Sequence, residues 1–99
     1  MNAWIVQLVC YANGEACPRG GEYVVDYEPP VMNAAGEYVP NTGRIETSRD
    51  LSRARLFATA ADAAACWRRS NGVRPDGKPN RPLTSYTVLI EQVSITRSN

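Results

Sequence analysis

The stretch from Thr59 to Ile95 constrains the fold of this 99-residue chain more than any other part. Thr59 is suited to cap a helix, and Asp62 stands three residues later, where an acid completes a capping box. The segment that follows, Ala60–Ser70, is rich in alanine, the best helix former. Gly72 is suited to follow the end of a helix, because glycine readily adopts a left-handed conformation. These signals predict one main helix over Ala60–Ser70.

Apolar strands are predicted near both ends of the chain. Ala3–Tyr11 and Ser85–Ile95 carry apolar side chains on both faces, which favours a central position in the sheet for the first strand and a place beside it for the last. A third strand is predicted at Glu22–Glu28, with Tyr23, Val25 and Tyr27 on one face. The prolines and the Pro-Asp-Gly turn of residues 73–83 predict a loop between the helix and the last strand.

Shorter elements fill the region between the second strand and the helix. A hairpin is predicted across residues 33–36, and an extended piece at Arg44–Thr47. Asp50 can cap a single helical turn that directs Leu51 and Ala54 inward. The sum is one α+β domain over residues 1–99. It has an antiparallel or mixed sheet of three to five strands, with one main helix packed on one face.

The cysteine and histidine content argues against metal sites and common nucleophiles. The chain has no histidine and three cysteines without CxxC spacing, so neither a typical zinc site nor a Cys–His pair is predicted. We therefore predict no catalytic residue, no metal ligand and no cofactor. Cys10 and Cys66 are expected to be buried hydrophobes, whereas Cys17, in a loop beside Arg19, is the candidate for a reactive thiol.

Charge divides unevenly along the sequence. Residues 1–47 hold six acidic and two basic residues, a net charge of −4, and residues 48–99 hold nine basic and four acidic ones, a net charge of +5. Two candidate partner-binding sets follow. The basic set, suited to phosphate or an acidic protein, is Arg68, Arg69, Arg74, Lys78 and Arg81. The acidic set, suited to a basic groove, is Glu22, Asp26, Glu28 and Glu37, the first three on one face of the second strand. For each set, the alternative is a solvated surface without a partner.

The second half of the chain also resembles a known group of proteins. The resemblance is carried by Arg53–Phe57, Thr59–Ala63, Trp67, Arg74–Thr84 and Tyr86–Val88. It covers roughly residues 49–93 and points to small uncharacterised proteins common in tailed phages and prophages of proteobacteria. It implies a phage-encoded protein expressed in the bacterial cytoplasm, without an established activity. Some phage proteins of this size, including anti-CRISPR proteins, inhibit host defence by binding a protein surface.

These observations give three functional hypotheses. The first is a non-enzymatic protein that inhibits a host defence system by binding a host protein complex, such as a subunit of a CRISPR effector. The alternative is a small nucleic-acid-binding phage regulator that uses the basic region Arg68–Arg81. The third is a small nucleotide-processing enzyme. Since no apolar run approaches the ~20 residues of a membrane helix, a cytoplasmic protein without a membrane partner is expected. Pairing of sheet edges leaves a homodimer open.

Overall fold

A four-stranded antiparallel sheet forms the framework of the protein in a computed structural model that describes residues 2–94. Its order is β3-β2-β1-β4. The strands are β1 (Asn2–Tyr11), β2 (Tyr23–Glu28), β3 (Arg44–Ser48) and β4 (Tyr86–Ser94). One α-helix, α1 (Ala60–Trp67), and two 3₁₀ turns, Leu51–Arg53 and Pro82–Ser85, complete the fold. The predicted α+β class is confirmed. Ile95, predicted to end the last strand, lies outside the described residues.

The central strand β1 pairs with the last strand along its whole length. The pairs run from Asn2 opposite Ser94 to Tyr11 opposite Tyr86, with one irregularity near Cys10. This confirms the prediction that the two apolar strands lie side by side. The helix packs against both, and the indole N–H of Trp67 donates to the carbonyl of Tyr86 at 3.2 Å.

The core lies between α1 and the sheet. Its buried side chains come from both central strands, the helix and two connecting segments: Val6, Leu8, Val24, Tyr27, Phe57, Ala63, Cys66 and Leu83. Ala63 and Cys66 are the most buried residues of the helix. The small side chains of α1 allow it to lie close to the sheet, and the core is completed from the side by Phe57 and Leu83.

A short segment before the helix is inserted between β1 and β2. Trp4 pairs with Gln92 of β4 on one side. On its other side Trp4 exchanges two backbone hydrogen bonds with Phe57, each of 2.8 Å. The N–H of Arg55 donates to the carbonyl of Val24 at 2.9 Å. Strand β2 therefore pairs with β1 only near Gln7 and Leu8. Where the two strands separate, residues 55–57 form hydrogen bonds with the backbone groups of β1 and β2 that would otherwise lack partners.

The helix begins as predicted but ends earlier. The Thr59 hydroxyl accepts a hydrogen bond from the N–H of Asp62 at 3.0 Å, which confirms the cap. The helix ends at Trp67 rather than Ser70, and Gly72 does not follow its end. The reason is that Asn71 and Gly72 use their backbone groups to pair with Asn80 and Met32, so they are not available to continue the helix.

Two predicted side-chain orientations are wrong. Strand β2 has a bulge at Val25, where its register against β3 shifts between Val24 and Asp26. A bulge moves the following residues to the opposite face, so Val24 and Tyr27 are both buried, at 0% and 3% exposure. Leu51 was predicted to face inward, but it is 46% exposed; Ala54 is buried as predicted. The single 3₁₀ turn is too short to bring Leu51 over the sheet.

Candidate functional site

Two hairpins lie beside each other outside the sheet, and we call them the hairpin lobe (residues 31–39 and 71–80). In the first, Met32 lies opposite Tyr38, and the N–H of Val39 donates to the carbonyl of Val31 at 2.8 Å. In the second, Val73 lies opposite Pro79, and the N–H of Arg74 donates to the carbonyl of Lys78 at 2.8 Å. The hairpin predicted across residues 33–36 is thereby confirmed.

Backbone and amide contacts join the two hairpins. Met32 pairs in parallel with Gly72. The side-chain amide of Asn80, which is only 4% exposed, donates to the carbonyls of Asn71 and Pro30 at 3.2 and 3.4 Å. The amide of Asn71 donates to the carbonyl of Pro29 at 3.2 Å. A buried amide with these partners is costly to lose, so the two asparagines fix the distance between the hairpins.

Three of the predicted basic residues converge on one cavity of this lobe, which we call the basic cavity. Arg74, Lys78 and Arg81 line a space of about 510 Å³ together with Met32 and Tyr38 of the first hairpin. A turn orients the cations: Asp76 accepts from the N–H of Lys78 at 3.0 Å and forms a 3.2 Å salt bridge with Arg74. Guanidinium and ammonium groups gathered on one concavity are suited to bind phosphate or carboxylate.

A second, more apolar cavity adjoins the first, and we call it the aromatic cavity. Its volume is about 340 Å³, and Tyr38, Pro82 and Ser85 line both cavities. Tyr27, Ile45, Leu83 and Tyr86 also line it. Both volumes fall in the range of small-ligand sites. A positively charged space therefore continues directly into one lined by tyrosine rings.

The remaining cations lie elsewhere. Arg68 follows the last residue of α1, and Arg69 donates from Nη1 to the carbonyl of Tyr27 at 3.3 Å. Neither lines the basic cavity. The structure thus divides the predicted basic set into three cavity residues and two residues at the helix end, where cations suit the helix dipole.

The acidic set does not form one surface. Glu22 accepts from the hydroxyl of Thr47 at 2.7 Å, whereas Asp26 pairs with Arg44 at 3.0 Å. Because Thr47 and Arg44 are three residues apart on β3, their side chains leave opposite faces of the sheet. The prediction that Glu22 shares a face with Asp26 and Glu28 is therefore wrong, and its cause is the bulge at Val25. Glu37 is exposed in the first hairpin.

The cysteines divide by burial. Cys66 lies in the core, and burial raises the pKa of its thiol, opposed in part by the nearby Arg55 and Arg69. Cys66 is buried as expected of a small hydrophobe. Cys10 is only half-buried, as is Cys17, so the expectation of a buried Cys10 is wrong. The reactivity of Cys17 stays a prediction. Among residues 2–94, no group of three or more cysteine, aspartate or glutamate side chains is placed to hold a metal ion.

Tyr27 and Tyr38 belong to the site, although the sequence did not indicate them. Tyr38 is 51% exposed between the two cavities, and Tyr27 lies at the boundary between the core and the aromatic cavity. Both are more than 35 residues before Arg74, so no local sequence pattern links them to the cations. For Tyr38, the one feature of the sequence that could have indicated a binding role is a tyrosine within a short predicted hairpin.

The Tyr27 hydroxyl is buried without a hydrogen-bond partner in the described part of the chain. Burial raises the pKa of Tyr27 to about 12, although the Leu83 backbone lies near enough to oppose the shift. The Leu83 backbone lies near this oxygen but does not form a well-oriented hydrogen bond with it. A buried hydroxyl without a hydrogen-bond partner is unfavourable in a core, so Tyr27 departs from the usual pairing of buried polar groups.

A pH dependence follows from this shift. The pKa of Tyr27 is higher in the folded protein, about 12, than the ordinary value of 10.0, so folding favours the protonated form. Its contribution to stability is complete below pH 10 and is lost as the pH rises from about 10 to about 12. We expect the urea midpoint to fall more steeply over this interval in the wild type than in Tyr27→Phe. Equal slopes would contradict it.

Comparison of the chain with protein-family models, curated proteins and solved structures finds no match. The site is therefore interpreted from its own chemistry. No helix within residues 2–94 combines the length and the apolar character needed to cross a membrane.

Proposed function

We propose that this protein is a non-enzymatic, single-stranded nucleic-acid-binding protein, and that the basic cavity holds the phosphate backbone. The observation that carries this proposal is the convergence of Arg74, Lys78 and Arg81 on one concavity that Tyr38 also lines. Proteins that bind single strands combine a positively charged groove with aromatic side chains on which bases stack. The resemblance to phage proteins agrees with a regulator acting in a bacterial cytoplasm.

Single-stranded nucleic acid fits this geometry better than a duplex. The cations lie in a cavity rather than along an exposed helix, and the exposed Tyr38 ring at its border offers a surface for an unpaired base. Stacking on an aromatic side chain contributes about 1–3 kcal/mol per base. A base in a duplex is already stacked and does not reach such a ring without being extruded.

The test is the affinity for a fluorescent 12-nucleotide strand, measured by anisotropy as a function of salt. Changing Arg74, Lys78 and Arg81 together to alanine should weaken binding about 100-fold at low salt and reduce the slope of log K against log salt by about 2, since each phosphate contact contributes about 0.7. The matched control is Arg49→Ala, Arg53→Ala and Arg68→Ala, which removes the same charge outside the cavity. Equal losses in both variants would contradict the proposal.

A second proposal retains the predicted inhibitor of a host defence complex, for instance a CRISPR effector. It is favoured by Val9 on β1 and Leu89 on the edge strand β4, which remain 41% and 46% exposed, because exposed apolar side chains suit a protein partner. Co-purification of a defence-complex subunit with the tagged protein from a CRISPR-competent host supports it. Recovery of nucleic acid alone, with immunity unaffected, counts against it.

A further inference from the structure

We propose that the aromatic cavity is a nucleobase pocket and that the Tyr27 hydroxyl forms a hydrogen bond with the edge of the bound base. This inference rests on the proposed function and makes it more specific. The basic cavity contacts the phosphates common to every nucleotide, whereas this pocket distinguishes one base from another.

The first support is the continuity of the two cavities. Tyr38, Pro82 and Ser85 line both, so a phosphate beside Arg81 and a base in the aromatic cavity belong to neighbouring parts of one nucleotide. The walls suit a flat ring: Tyr38, Tyr86, Leu83 and Ile45 are aromatic or apolar. The Tyr86 ring is held in place by stacking on Tyr11, with centroids 5.4 Å apart.

The second support is the hydroxyl of Tyr27. This side chain is 3% exposed and lines the cavity, yet within residues 2–94 its oxygen has only the Leu83 backbone nearby and no well-oriented hydrogen bond. Phenylalanine would fill the same volume in the core without leaving a polar group unpaired. A tyrosine hydroxyl both donates and accepts, so it can pair with ring nitrogens, carbonyls or exocyclic amines of a base. A bound base that forms this hydrogen bond would offset the cost of burying the hydroxyl.

The experiment compares Tyr27→Phe with wild type on four homo-oligonucleotides of equal length, by anisotropy at constant salt. We expect the wild type to prefer one base, and Tyr27→Phe to lose about three- to ten-fold in affinity for that base only, the contribution of one hydrogen bond. The salt dependence, which reports the phosphate contacts, should not change. Tyr23→Phe is the matched control, since Tyr23 is on the same strand outside the aromatic cavity. In the absence of ligand, the urea midpoint of Tyr27→Phe should rise.

The possible outcomes separate this inference from the function on which it rests. Loss of base preference in Tyr27→Phe, but not in Tyr23→Phe, supports the pocket. Equal affinity of the wild type for all four strands overturns it, as does an unchanged preference in Tyr27→Phe, while binding through the basic cavity stands. Absence of salt-dependent binding to any strand overturns both.

Discussion

Replacing Gly72 with alanine is expected to separate the two hairpins and to abolish the basic cavity while the core stays folded. Gly72 has a φ of +81°, and an added Cβ would lie 2.7 Å from the carbonyl oxygen and 2.9 Å from the nitrogen of Met32. Both contacts are with backbone, so no side-chain rotation relieves them. The variant must either break the pairing of residue 72 with Met32 or move a whole hairpin, and the expected cost is about 3 kcal/mol or more.

Gly77→Ala provides the control for Gly72→Ala. Gly77 has nearly the same φ, +83°, but an added Cβ meets nothing within 4 Å. It should cost only the left-handed strain of about 1–2 kcal/mol. Amide hydrogen exchange gives a readout independent of any ligand. In Gly72→Ala, the N–H of Asn80, which donates to the carbonyl of residue 72, should lose protection, while the N–H of Leu8 in β1, which donates to Glu22, keeps it. Equal behaviour of the two variants would show that the hairpins are not held by this close approach.

Changing Phe57 to alanine is expected to lower the free energy of unfolding by about 3–5 kcal/mol, the usual cost of removing a buried aromatic ring. Phe57 is 7% exposed and belongs to the core cluster, and its backbone pairs with Trp4. The guanidinium of Arg55 lies 5.1 Å from the centre of its ring, so the variant also loses a cation–π contact. Urea denaturation measures the effect.

Its neighbour supplies the comparison. Leu56 is 52% exposed, and Leu56→Ala should change stability by no more than about 0.5 kcal/mol. If Phe57→Ala and Leu56→Ala were equally stable, residues 55–57 would not lie between β1 and β2, and the packing described for this part of the sheet would be wrong.

The parts of the fold that the sequence predicts are those where local signals act alone. Thr59 caps its helix through its own hydroxyl, and β1 and β4 are apolar on both faces wherever they lie. The errors occur where distant segments decide. The bulge at Val25 depends on the pairing of β2 with β3, and the early end of α1 depends on Asn80 and Met32, which compete for the backbone of residues 71 and 72.

The candidate site follows the same division. Arg74, Lys78 and Arg81 are close in sequence, so their density was visible there. Tyr38 and Tyr27 reach them only through the contacts of two hairpins and a strand. The acidic set failed as a single surface because one extra residue in β2 reverses which face Asp26 occupies. A charge pattern read along a strand is reliable only as far as that strand is regular.

The pairing of β1 with β4 has a consequence for biosynthesis. The central strand β1 comes first of the four strands, and its one full-length partner, β4, is completed only at Ser94. During translation, Ile5, Val6 and Leu8 therefore lack the pairing with β4 for as long as β4 is inside the ribosome exit tunnel. We therefore expect the native sheet to form only after β4 has left the ribosome, in one cooperative step, and the unpaired apolar strand to depend until then on chaperones that cover it.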